Sequence, residues 1–100
     1  MKGRQPTMSP SQSSYRLEIP KKFLNTWRAF EAEIPESMGR CRRFLINSPE
    51  DRLRSGAKLK KLKGELAGIL QYDITGEARV WYIVDKRSRT VRIRYIGHHP

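Results

Sequence analysis

LQYDITGEARVWYIVDKRSRTVRIRYI, residues 70–96, is the stretch that decides the fold. Within it Leu70, Tyr72 and Ile74 alternate with Gln71 and Asp73, and Ala78, Val80, Tyr82 and Val84 alternate with Arg79, Trp81 and Ile83. Val91, Ile93 and Tyr95 then alternate with Arg92, Arg94 and Ile96. A period of two belongs to a half-buried strand, whose successive side chains point to opposite faces. Thr75-Gly76-Glu77 and Asp85-Lys86-Arg87-Ser88 supply turns between the runs. Three strands in a meander are expected.

Upstream, Tyr15, Leu17 and Ile19 alternate with Arg16 and Glu18, which predicts a first strand, and Pro20 presets a helix start. Phe23, Leu24, Trp27 and Phe30 recur at helical spacing, with Ile34 continuing the stripe. Beyond Pro35 a second helix puts Met38, Cys41, Phe44 and Leu45 on one side and Arg40, Arg42 and Arg43 largely around the other. The short link at residues 34–36 predicts a helix hairpin. Residues 48–57, broken by Pro49 and Gly56, read as a loop. The economical packing is a two-layer α+β domain, with the helix hairpin on one face of an antiparallel sheet. Its order along the chain is strand, helix, helix and three-strand meander. Residues 1–14, poor in large apolar groups, are expected as a flexible tail before a single domain over 15–100.

Composition narrows the class of partner. Lys and Arg number 21 against 10 Asp and Glu, a formal net charge of +11. Such a surface attracts polyanions, nucleic acid foremost. No run approaches the ~20 apolar residues that span a bilayer, and no apolar signal core is seen at the N-terminus. Cys41 is the single cysteine, which rules out a disulfide framework and a cysteine-based metal site. It falls on the apolar side of a helix and is expected as a small buried side chain, in a reduced, cytoplasmic setting. No metal-ligand spacing occurs, and no cofactor is expected.

If Leu70, Tyr72, Val80, Tyr82, Val91 and Ile93 meet the helices, then Gln71, Asp73, Arg79, Trp81, Arg92 and Arg94 share the uncovered face. Arginine holds a phosphate through two hydrogen bonds and an indole stacks on a base. His98 and His99 follow the last strand at the edge of that face, and histidine suits general acid–base work near neutral pH. Lys58, Lys60, Lys61 and Lys63 crowd around Leu59 and Leu62 as a track for a phosphate backbone, which binds charge without reading sequence. The bland alternative is a solvated charged face with one exposed tryptophan. Together these residues suit breaking an RNA phosphodiester.

With LKGELAG at 62–68, Ile74 followed by RVWY at 79–82, Asp85 opening a turn, and IGHHP at 96–100, the chain resembles the RelE/ParE superfamily of toxins from bacterial toxin–antitoxin pairs. The pattern is nearest to the RelE and YoeB branches and covers roughly residues 15–100. The resemblance implies a ribosome-dependent endoribonuclease that cuts mRNA without a metal and is silenced by a cognate antitoxin, expected to be acidic. It implies that Arg79 steadies the scissile phosphate and that His99 is the general acid; Arg92 or Arg94, placed on the same face by alternation, is expected to help Arg79. YoeB-like members carry a glutamate base where this chain has Lys60, so Asp73 or His98 is left to accept the 2′ proton. A ParE-like binder of DNA gyrase, with no catalytic set, is the alternative the same resemblance implies.

Overall fold

The chain starts its first helix where proline presets it. The computed structural model describes residues 14–98, so the tail expected over residues 1–14 falls, apart from Ser14, outside the described residues, as do His99 and Pro100. After β1 (Arg16–Glu18), Pro20 has a φ of −57°, and the Phe23 N–H donates to its carbonyl at 2.9 Å as α1 (Lys21–Glu33) begins. Ile34 closes α1 by donating its N–H to the Phe30 carbonyl and opens α2 (Pro35–Asn47) by accepting from Met38. Pro35, with no N–H to lose, takes the first helical position.

Trp27 and Phe30 from α1, and Met38, Cys41, Phe44 and Leu45 from α2, are buried together with the sheet residues that alternate toward them. Phe44 stacks on Tyr72 with ring centroids 4.9 Å apart, which fixes the side of the sheet that the helices cover. Burial pushes the Cys41 thiol up to about 12, so it is a core side chain and not a nucleophile. No helix among the described residues is long and apolar enough to cross a membrane.

The α+β two-layer class is the one adopted, with a richer sheet than the meander alone. Its five strands run in the order β1-β5-β4-β3-β2, where β2 is Leu59–Lys61, β3 Leu70–Asp73, β4 Ala78–Asp85 and β5 Thr90–His98. The sheet is mixed rather than wholly antiparallel, because β1 pairs parallel to β5 (Leu17 opposite Val91). Strand β2 is the second departure: a lysine-rich stretch joins the edge beside β3, with Leu59 opposite Tyr72. The third lies within residues 48–57, where Asp51 caps a single helical turn, α3 (Arg52–Ser55), by accepting from the Leu53 and Arg54 N–H groups.

A bulge is the fourth departure and it matters for the site. Trp81 lies opposite Tyr95, but the next residue, Tyr82, lies opposite Ile93, so Arg94 is the extra residue on β5. Ile93 and Ile96 are both buried against the helices. Tyr95 therefore faces away from the core and Ile96 into it, the reverse of strict alternation.

Two contacts hold the far end of the sheet. The buried Tyr82 hydroxyl donates to the Pro49 carbonyl at 2.6 Å, pinning the loop after α2 beneath the sheet. Tyr82→Phe leaves that carbonyl without its partner and is expected to cost about 1–3 kcal/mol, read as a lower urea midpoint with unchanged m-value. At the β4–β5 turn, the Asp85 carboxyl is held below its usual range by the Ser88 backbone N–H first, with Arg92 and the Arg87 N–H adding to it. A depressed folded-state pKa contributes stability above the unfolded value, about 3.9 for Asp, and loses it as pH falls through the lower folded value. Asp85→Asn should thus be less stable than the parent at pH 7, and the gap between their urea midpoints should shrink toward pH 3.

Candidate active site

Strand pairing assembles the uncovered face. Gln71 stands opposite Trp81 and Asp73 opposite Arg79, while their neighbours Tyr72 and Val80 pair on the helix side. Side chains alternate, so Gln71, Asp73, Arg79 and Trp81 share the face away from the helices. Lys60 on β2 pairs with Gln71 and joins them.

A hydrogen-bonded chain runs across this face. The Trp81 indole N–H donates to Gln71 Oε1 at 2.9 Å, and Gln71 Nε2 donates to Asp73 Oδ1 at 2.9 Å. Lys60 Nζ lies 3.6 Å from Asp73 Oδ2. Both carboxylate oxygens of Asp73 are thus engaged, and neither by Arg79, the residue directly opposite. Gln71 is only 5 % exposed, so it acts as a link under Trp81 rather than as a ligand-facing group.

Arg79 stands apart from this chain. It forms no ion pair or hydrogen bond with any described side chain, and its Nε is buried without a partner. Opposite it on β5 is Gly97, over which the Tyr95 ring lies: a Cβ at Gly97 would meet Tyr95 Oη at 2.5 Å. The Tyr95 hydroxyl donates to the His98 carbonyl at 3.0 Å, and its ring tilts against Trp81 with centroids 5.3 Å apart. Among the described residues Arg79 is therefore a guanidinium without a counter-ion, on the same face as Trp81 and Tyr95.

Not every expected residue comes to this place. Arg92 is on the uncovered face but pairs with Glu18 at 3.0 Å and Asp85 at 3.4 Å. It also lies opposite Ile83, five residues along β5 from Gly97, roughly 17 Å away at about 3.3 Å per residue. Its expected convergence on Arg79 does not occur. Arg94, the bulged residue, is exposed between Ile93 and Tyr95 and makes no ion pair with a described residue. His98 stands opposite Ala78, on the helix side, and packs on Phe30 with ring centroids 5.4 Å apart. It is directed away from Arg79, contrary to expectation, because it stands two positions after buried Ile96 and so shares its face. His99 lies outside the described residues.

The lysine track also divides. Lys60 joins the open face, whereas Lys58 sits on the helix side with Nζ 5.8 Å from the centroid of Tyr72. Lys61 pairs with Leu70 and Lys63 precedes the helical turn at Gly64–Leu66, both exposed. Only Lys60 and Lys61 lie on β2, where consecutive residues face opposite ways; Lys58 ends the 3-10 turn before it and Lys63 follows it. Tyr95 was the residue that alternation misplaced. Its signal was the apolar spacing Val91, Ile93, Ile96, two residues and then three, which is the trace of a bulge.

No protein-family model matches the sequence, and no curated protein matches it. Solved structures do match in fold. The RelBE2 toxin–antitoxin complex of Mycobacterium tuberculosis is 21% identical at a TM-score of 0.60, over 86% of this chain and 92% of that one. The YoeB–YefM complex of Staphylococcus aureus is 21% identical at a TM-score of 0.62, over 86% and 98%. The YoeB/ParE toxin of Agrobacterium tumefaciens is 17% identical at a TM-score of 0.64, over 85% and 99%. The helix hairpin on one face of a five-stranded sheet is thus a fold this chain shares with these RelE-, YoeB- and ParE-named toxins.

Proposed function

We propose that the chain is the toxin of a bacterial toxin–antitoxin pair, a cytoplasmic, ribosome-dependent endoribonuclease that cuts mRNA and is silenced by an acidic antitoxin. The observation that carries this reading is Arg79, a guanidinium paired with no carboxylate among the described residues, on the open sheet face with Asp73 directly opposite. An ordinary structural arginine at such a place would be paired with Asp73. Two of the similar structures are toxin–antitoxin complexes, which supports the antitoxin.

The reaction is written without a metal. Asp73 accepts the proton of the ribose 2′-hydroxyl, exchanging Lys60 or Gln71 for the substrate. The 2′-oxygen attacks the adjacent phosphorus, and Arg79 donates to the phosphoryl oxygens on which negative charge grows. The P–O5′ bond breaks as His99 gives its proton to the leaving 5′-oxygen. A 2′,3′-cyclic phosphate and a 5′-hydroxyl result. Support for His99 comes from the resemblance, which puts the near-terminal general acid at that position. Where the resemblance puts a glutamate, this chain has Lys60, whose ammonium is 3.6 Å from Asp73. The carboxylate base is then supplied by the neighbouring strand β3 as Asp73. Lys60, Arg94 and Trp81 would hold the RNA on either side.

A ParE-like gyrase binder is the second reading. It is favoured by one observation: Asp73, the carboxylate of the face, has both oxygens engaged. Primer extension on mRNA in translating ribosomes decides between them. Cuts that need both the chain and translation support the endoribonuclease. No cuts, with inhibition of gyrase supercoiling, would replace it by the second reading.

A further inference from the structure

On the helix side of the sheet, away from Asp73 and Arg79, lies an open cavity of about 480 Å³ that the chemistry above does not use. Arg40 and Arg43, one turn apart on α2, form one wall, and Arg54 and Lys58 come from the segment that follows α2. No acidic residue lines it. Of the four cations only Arg54 has a carboxylate partner among the described residues, Asp51 at 3.5 Å, and that pair is largely exposed.

We propose that this cavity is a second RNA site, which takes the phosphate backbone of a structured, double-helical RNA while the open sheet face takes a single strand. The inference rests on the reading of the chain as RNA-directed and adds to it a partner for the opposite side of the molecule. Three of the four cations have no counter-charge among the described residues, and a polyanion that meets them gains by counterion release. The floor is aromatic but closed: Phe44 and Tyr72 are 8 % and 4 % exposed, stacked on one another beneath Lys58. No base can stack there, so the contact is with backbone, which a duplex presents outward. The same closed floor weighs against a protein. A protein partner needs an apolar centre to its interface, and the two aromatic side chains that line this cavity are both buried.

The test is fluorescence anisotropy of a labelled RNA hairpin, in an Arg79→Ala background so that nothing is cut, over a series of salt concentrations. Arg40→Gln/Arg43→Gln/Lys58→Gln should weaken binding about tenfold or more at low salt. It should flatten the plot of log affinity against log salt by about 2 to 3, since each lost phosphate contact removes about 0.9 from a duplex slope. Lys58→Gln alone should flatten it by about 0.9 and covers the case in which the triple variant fails to fold by circular dichroism. A folded variant with the parent's affinity and slope overturns the proposal. So does loss of binding to an oligoglutamate peptide with hairpin binding intact, which would assign the cavity to an acidic protein. A parent that never cuts, with hairpin binding weakened in the cavity variants, removes the endoribonuclease and leaves this site standing. A parent that cuts, with hairpin binding indifferent to the cavity, does the opposite.

Discussion

Arg79→Ala is expected to lower mRNA cleavage by roughly 10²- to 10³-fold, the scale of removing one preorganised donor from a developing oxyanion. Stability should barely move, within about 0.5 kcal/mol, although the residue is half-buried at the centre of a sheet. The reason is its lack of partners. Removing an arginine from a paired site strands a carboxylate, but Asp73 is already held by Lys60 and Gln71. The Nε of Arg79 is itself a buried donor with no acceptor, so its removal relieves an unsatisfied group and offsets the lost packing of the side-chain stem. Arg79→Lys should recover less than a tenfold share of the loss, because an ammonium keeps the charge but not the two-pronged geometry. Primer extension and urea unfolding on the same preparations check the pair of effects. Undiminished cleavage would remove Arg79 from the chemistry, and a matching fall in stability would make it a structural residue instead.

How far such a site can be read from the chain depends on whether the information is local. Alternation over residues 70–85 put Asp73, Arg79 and Trp81 on one face, and the pairing of β3 with β4 bears that out. The stripes of α1 and α2 are equally local, since Trp27, Phe30, Met38, Cys41 and Phe44 lie at the spacing that one helix face requires. Period-two counting fails where one residue is inserted. The bulge at Arg94 turned Tyr95 outward and carried His98 to the helix side, and only the burial of Ile96 hints at it. Arg92 failed for a different reason. Its partners are Glu18, 74 positions earlier, and Asp85 across a turn, and no local pattern shows that its charge is already neutralised. The lysines at 58–63 looked like one patch because charge was counted along the chain. Strand β2 starts only at Leu59 and puts Lys60 on the open face beside Asp73, whereas Lys58 ends the 3-10 turn before it and lies over Tyr72 on the helix side. Neighbours in sequence then serve different surfaces, one beside Asp73 and the other in the cationic cavity.

The adjacent histidines give the sharpest separation between chemistry and packing. His99→Ala is expected to reduce cleavage by roughly 10²- to 10⁴-fold, the range of a general acid's contribution. His98→Ala should stay within about threefold of the parent, far below that acid–base range, because its ring packs on Phe30 behind the sheet. A loss at His99 alone would still permit a role in binding, so the leaving group must be varied. In a synthetic mRNA whose scissile 5′-oxygen is replaced by sulfur, the departing thiolate needs no proton. With single-turnover cleavage on programmed ribosomes, His99→Ala should regain most of its lost rate on that substrate. Arg79→Ala should not, because charge still builds on the phosphoryl oxygens whatever atom leaves. Equal rescue of both variants would mean that neither acts at the step assigned to it. No rescue of His99→Ala would move His99 from proton transfer to substrate positioning. Equal losses at His98 and His99 would point to disturbance of the end of β5 as the common cause, and the general acid would then have to come from the ribosome.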